Sequence, residues 1–157
     1  MEARSNVAPG REDLELTITR TFDAPRSLVF AAWTDPAHLM KWWGPRGYTP
    51  QSCEVDLRPG GVYRFCMRSP EGKDNRMHGA YREVVKPERL VLAGSWVDAD
   101  GKPIGPTSIL TLTFEDVGGK TRMTLHNRIF ESEAARDAHY RGWNSALDCL
   151  AEYLAAA

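Results

Sequence analysis

The stretch from Ser132 to Ala157 constrains this chain more than any other. Tyr140, Trp143, Leu147, Leu150 and Leu154 recur at steps of three and four. On a 3.6-residue period they form one apolar stripe, so the spacing predicts a long amphipathic helix. Ser132 is the expected N-cap, with Glu131 and Glu133 set against the positive end of the helix dipole. Ala134, Ala135, Ala138, Ala146 and Ala151 raise its helix propensity. Gly142 sits inside it, where a glycine costs about 1 kcal/mol relative to alanine. Something is therefore expected to approach the helix closely there, or the cost is simply tolerated. Such a helix must bury its stripe on a partner.

The preceding chain supplies that partner as strands. Leu14, Leu16, Ile18 and Phe22 alternate with polar residues, the pattern of a half-buried strand. Pro25 then opens a helix reaching Trp33, and Asp35-Pro36 opens a second, with Leu39, Met40 and Trp43, stopped by Gly44-Pro45. From Tyr48 the chain reads as strands at Cys53–Leu57, Val62–Arg68, Met77–Val85, Leu90–Trp96, Ser108–Phe114 and Thr121–Asn127. Turn signals separate them: Arg58-Pro59-Gly60-Gly61, Ser69-Pro70-Glu71-Gly72, Lys86-Pro87-Glu88, a loop from Asp98 to Pro106, and Gly118-Gly119. The predicted fold is α+β. A curved antiparallel sheet of about six to seven strands wraps one long C-terminal helix, with two short helices after the first strand.

A chain of 157 residues holds one domain with a real core, expected over 13–157, after a polar, disordered lead-in over 1–12. That lead-in has no apolar segment of signal-peptide type. The formal net charge of -1 gives no electrostatic case for nucleic acid or an anionic membrane. No apolar run is long enough to span a bilayer, so no membrane insertion is expected. Cys53, Cys66 and Cys149 are odd in number, far apart and without C-x-x-C spacing. They read as free thiols in a reducing cytoplasm.

Four runs then carry a family likeness: RTFDAPRSLVFAAWTDPAHLMKWWGP, DLRPGG, HGAYREVVKPERLVL and GWNSALDCLAEYL. In this order they resemble the activator of heat-shock-protein-90 ATPase homologues, within the SRPBCC superfamily that also holds START domains, the birch-pollen-allergen fold and polyketide cyclases. The likeness covers about residues 13 to 155. It implies a helix-grip fold with a cavity between the sheet and the C-terminal helix. It implies little about activity. The eukaryotic co-chaperone that names the family has an extra N-terminal domain for the chaperone, for which this chain leaves no room.

Strand alternation places Tyr63, Phe65, Met67, Met77, Tyr81, Leu90, Leu92, Trp96, Leu110, Leu112, Phe114, Met123 and Leu125 on the inner face of the sheet. Aromatic and methionine side chains suit a pocket that adapts to an apolar ligand. The expected ligand-binding residues are Tyr63, Phe65, Met67, Met77, Tyr81, Trp96, Leu110 and Met123, with Gly142 and Ala146 as a shallow groove on the helix. An ordinary packed core would use the same inner-face residues. Trp42-Trp43-Gly44-Pro45 reads functionally as the lip of the cavity or a partner patch; the favoured, structural reading has Trp43 pin the short helix over the sheet, with Trp42 more exposed, because helix neighbours point about 100° apart. Asp56 and Arg58 are expected to brace the Pro59-Gly60-Gly61 turn. Glu83 shares strand parity with Tyr81; it is the one acid that parity allows inward, though a strand end reaching water is the simpler reading. His78 has outward parity. His38, His78, His126 and His139 form no metal motif, and no nucleophile has a recognisable base. No catalytic residue, metal or cofactor is expected. The function read from these residues is binding of a small, largely apolar molecule. A chaperone ATPase regulator and a cyclase- or hydrolase-type enzyme remain the alternatives, and a homodimer and a chaperone contact stay open.

Overall fold

The computed structural model describes residues 14–128, 130 and 132–156. The expected lead-in over residues 1–12 and the dipole role of Glu131 lie outside the described residues. In chain order the elements are β1 (Glu15–Phe22), α1 (Arg26–Thr34), α2 (Pro36–Trp42), β2 (Thr49–Val55), β3 (Val62–Arg68), β4 (Asp74–Val85), β5 (Arg89–Val97), β6 (Ser108–Val117), β7 (Lys120–Arg128) and α3 (Glu133–Ala156). The strands form one seven-stranded sheet in the order β1-β7-β6-β5-β4-β3-β2. Every pairing is antiparallel. From β2 to β7 the sheet is a meander, as tight turns dictate. β1 closes it on the far side of β7, so α1 and α2 carry the chain from one edge of the sheet to the other.

α3 starts where Ser132 caps it: the hydroxyl oxygen accepts the backbone N–H of Ala135 at 3.1 Å. Its gripped face is Ala146, Leu147, Leu150 and Leu154, all buried. Each buried leucine contributes about 1.5–3 kcal/mol of transfer free energy. Tyr140 departs from the expected stripe: it is 48% exposed. It lies beside Glu15, Leu16 and Thr17 at a shallow surface depression, beyond the reach of the inner face. Arg20 of β1 ties the helix to the sheet edge through the Asn144 backbone carbonyl at 3.1 Å and the Asp148 carboxylate at 2.9 Å.

The short helices follow their cap signals. Asp35 accepts the Ala37 N–H at 2.9 Å and Pro36 opens α2. Pro25 sits one place earlier than expected, as the N-cap of α1, its carbonyl taking the N–H groups of Leu28 and Val29. β2 begins earlier than its expected start at Cys53 and ends at Val55, and β4 begins at Asp74 rather than Met77.

Of the two tryptophans at the end of α2, Trp42 departs from its expected exposure. Trp42 is buried, and its indole N–H donates to the Ala32 carbonyl at 2.9 Å, locking α2 onto α1. Trp43 is already outside the helix, at ψ 130°, so the 100° helix step no longer sets its direction. Gly44 follows at φ +108°, a left-handed conformation that glycine adopts without strain, and the chain turns away there. The Trp43 ring then lies over the sheet, 4.8 Å from that of Phe65.

A β-bulge decides Glu83. The β4–β5 register shifts between Tyr81 and Glu83, which pairs with Val91 on the outer face. Glu83 is exposed and bonds Arg89 at 3.0 Å. Asp56 and Arg58 pair at 2.8 Å beside their turn.

Candidate functional site

Between α3 and the inner face of the sheet lies a partly open cavity of about 280 Å³. Its sheet wall carries Tyr63, Phe65 and Met67 from β3, Asn75 and Met77 from β4, Leu90, Leu92 and Trp96 from β5, Ser108, Leu110 and Leu112 from β6, and Asn127 from β7. α3 supplies Ala138, His139, Gly142, Trp143 and Ala146. Trp33 of α1 and the Trp43–Tyr48 loop complete it, through Trp43, Gly44, Pro45 and Tyr48. Of the expected ligand-binding residues, Tyr63, Phe65, Met67, Met77, Trp96, Leu110, Gly142 and Ala146 line this space. Tyr81 and Met123 do not; both are buried in the core, and the Tyr81 hydroxyl is sealed with no hydrogen-bond partner among the described residues.

On the helix wall Gly142 leaves space. A Cβ at Gly142 would find only Pro45 Cγ, at 3.8 Å, an ordinary contact. Gly79 and Gly94 face one another across β4 and β5, and a Cβ on either would overlap the Tyr63 hydroxyl. This glycine pair is the seat on which the Tyr63 ring lies flat against the sheet. One wall is a continuous aromatic surface: Trp33 and Trp43 lie 5.7 Å apart, Trp43 and Trp143 5.7 Å, and Tyr63 and Phe65 5.3 Å.

Among the described residues no Lys, Arg, Asp or Glu lines the cavity; Asn127 pairs with Trp143 and Trp96 with His139, while the Trp33 indole N–H is buried without a partner. Asn127 donates to the Ile109 carbonyl at 3.1 Å and accepts the Trp143 indole N–H at 3.0 Å. Trp96 donates its indole N–H to His139 Nε2 at 3.2 Å. His139 Nδ1 stands 2.8 Å from the Ala135 carbonyl, which only accepts. The ring in this geometry is therefore the neutral Nδ1–H tautomer. Burial pushes the Tyr63 phenol well above its ordinary pKa, so it stays a hydroxyl. That hydroxyl has no hydrogen-bond partner among the described residues, yet unlike that of Tyr81 it is not sealed.

Other candidate groups stand apart. His126 meets Glu15 at 2.6 Å and His38 meets Tyr153 at 2.6 Å, both away from the cavity lining. Among the described residues no three His, Cys, Asp or Glu side chains gather as a metal site. No helix of the described residues is long and apolar enough to cross a membrane.

The family model for activator of Hsp90 ATPase homolog 1-like proteins matches residues 23–155. The chain belongs to this family. It is a helix-grip member of the SRPBCC type, with the α3 helix held in the curve of the sheet. The AHSA1 protein of Silicibacter pomeroyi is 28% identical, with a TM-score of 0.81 over 90% of this chain and 97% of that one. The solution structure of an Arthrobacter aurescens protein is also 28% identical, with a TM-score of 0.82 over 93% of this chain and 88% of that one. A Mycobacterium smegmatis protein gives 28% and 0.79 over 93% and 91%. A comparison with curated proteins gave no match. Membership in the AHSA1-like family explains the shared architecture.

Several lining residues of this AHSA1-like chain were missed as site residues although a signal existed. Asn127 continues the inward parity of Met123 and Leu125, Ser108 that of Leu110, and Asn75 that of Met77. His139 lies one helical turn before Trp143 on the same face. Their polarity argued against an inward placement. Trp43, Gly44 and Pro45 belong to the run read as one possible lip of the cavity, whereas Tyr48, in the same loop, has no periodic signal.

Proposed function

We propose that this chain binds a small, largely apolar molecule in the cavity between its sheet and α3. The observation that carries this reading is the wall itself: about 280 Å³ of space, aromatic and aliphatic on nearly every side, with no carboxylate, ammonium or guanidinium among the described residues that line it. Acid–base or nucleophilic chemistry calls for convergent ionisable groups. Here the one histidine of the wall has both ring nitrogens engaged. This favours binding over reaction, and the free thiols among the described residues fit a cytoplasmic setting.

Native mass spectrometry of protein purified without detergent tests the reading. A retained small molecule, one per chain and released by denaturation, is expected. A bare chain that also shows no saturable response to neutral apolar compounds would overturn it. The family's name suggests a second reading, stimulation of a chaperone ATPase. Weak or no stimulation is expected, and a clear saturable one would make that reading the better of the two.

A further inference from the structure

The cavity defines its occupant more narrowly than "apolar". We propose that it takes an uncharged, flat two-ring molecule bearing one hydroxyl or carbonyl group, held by the Tyr63 hydroxyl; this rests on the binding reading above. Size comes first. An apolar cavity of about 150 Å³ accepts benzene, with six heavy atoms. By proportion the 280 Å³ here takes about eleven. Shape comes from the aromatic wall. Trp43 and Phe65 are only 34° from parallel, and Phe65 and Tyr63 only 38°, so their faces form a shallow curved plate. A flat ring system stacks on such a plate with more contact than a chain does.

Charge is excluded by what the wall lacks. Among the described residues of the lining a carboxylate would meet an apolar wall with no Lys or Arg, and a cation would find no Asp or Glu. The single polar function is assigned by Tyr63. The residue is 95% buried, at 5% exposure, and two glycines hold its hydroxyl in place. Tyr63 lines the cavity, and its hydroxyl is not sealed and has no partner among the described residues. By contrast Asn127 pairs with Trp143 and Trp96 with His139, and the unpartnered Trp33 indole N–H is sealed from any ligand. A buried hydroxyl left unbonded is unfavourable, so a ligand oxygen that bonds it is selected over a hydrocarbon of the same shape.

The test compares naphthalene, 2-naphthol and 2-naphthoate as probes. The readout is the methionine methyl NMR signals of the whole chain, because Met67 and Met77 line the cavity. 2-Naphthol is expected to bind about fivefold tighter than naphthalene, the scale of one net hydrogen bond. 2-Naphthoate is expected at least a hundredfold weaker than 2-naphthol. Tyr63→Phe should abolish the preference for 2-naphthol over naphthalene, with naphthalene still bound. An unchanged preference in Tyr63→Phe overturns the assignment, as does a loss of both probes, which would make the hydroxyl a wall support. Tight 2-naphthoate binding overturns the exclusion of charge. Naphthalene binding without any preference for 2-naphthol sinks the Tyr63 assignment and leaves the binding reading standing. Failure of all three probes sinks both.

Discussion

Replacing Gly142 tests the cavity from the helix side. Gly142→Ala adds a Cβ whose nearest neighbour beyond its own helix is Pro45 Cγ at 3.8 Å, so no atom must move. The helix-propensity gain of about 1 kcal/mol should appear nearly in full. For a domain of this size that raises Tm by about 2–4 °C. Gly142→Leu adds four heavy atoms. At about 25 Å³ per heavy atom, scaled from benzene in its 150 Å³ cavity, the leucine fills about 100 Å³. About 180 Å³ remains of the 280 Å³, enough for benzene and too little for 2-naphthol. The Leu variant should therefore fold with a Tm at or above that of the parent chain. Its affinity for 2-naphthol should fall at least tenfold, while benzene still binds. Thermal denaturation and methionine-methyl titrations measure both. If the site were close-packed, the same change would overpack it and cost about 1–3 kcal/mol. That loss of stability, or an unaltered affinity for 2-naphthol, would refute the reasoning.

Three further outcomes follow from the packing. Asp35→Ala removes the cap of α2 and should cost about 1 kcal/mol, read as a Tm lowered by about 2–4 °C; no change would mean the Ala37 bond is idle. Leu150→Ala empties a fully buried position where α3 meets the sheet and should cost about 2–5 kcal/mol in denaturant unfolding, whereas a cost near zero would contradict the gripped face. The Cys53 thiol is pushed up to about 11, first by burial and then by Asp35 and Glu54. Its thiolate fraction should rise only as pH passes through that value, so alkylation at pH 8.5 should be much slower at Cys53 in the folded chain than after unfolding. Because the folded value lies above the unfolded one, this thiol's contribution to stability is present below about pH 9 and lost as pH rises towards 11.

The fold was legible because its signals are local and repeated. Alternation in β3 and β6, the cap at Asp35, and the spacing of Trp143, Leu147, Leu150 and Leu154 each name one element and one face. The site was legible where it rests on the same periodicities, as for Tyr63, Phe65, Met67 and Gly142. It was not legible where a residue leaves its period. Trp43 steps out of α2 before its direction is set, and the bulge beside Tyr81 turns Glu83 to the other face. Tyr81 and Met123 have inward parity, but inward includes the packed core as well as the cavity, and alternation cannot separate the two. Asn127, Ser108 and His139 are polar residues in an apolar wall, and their bonds to neighbours, which sequence periodicity does not show, are what make them tolerable there.

The central claim is that a neutral apolar molecule enters between α3 and the inner face of the sheet. Intermolecular NOEs between 2-naphthol and the isotope-labelled chain test it most directly. NOEs are expected to the Met67 and Met77 methyls, to Leu110 and to the Gly142 α-protons, with the naphthol oxygen turned towards Tyr63. NOEs confined to exposed groups such as Ile104 and Tyr140, with the cavity methyls unperturbed, would contradict it.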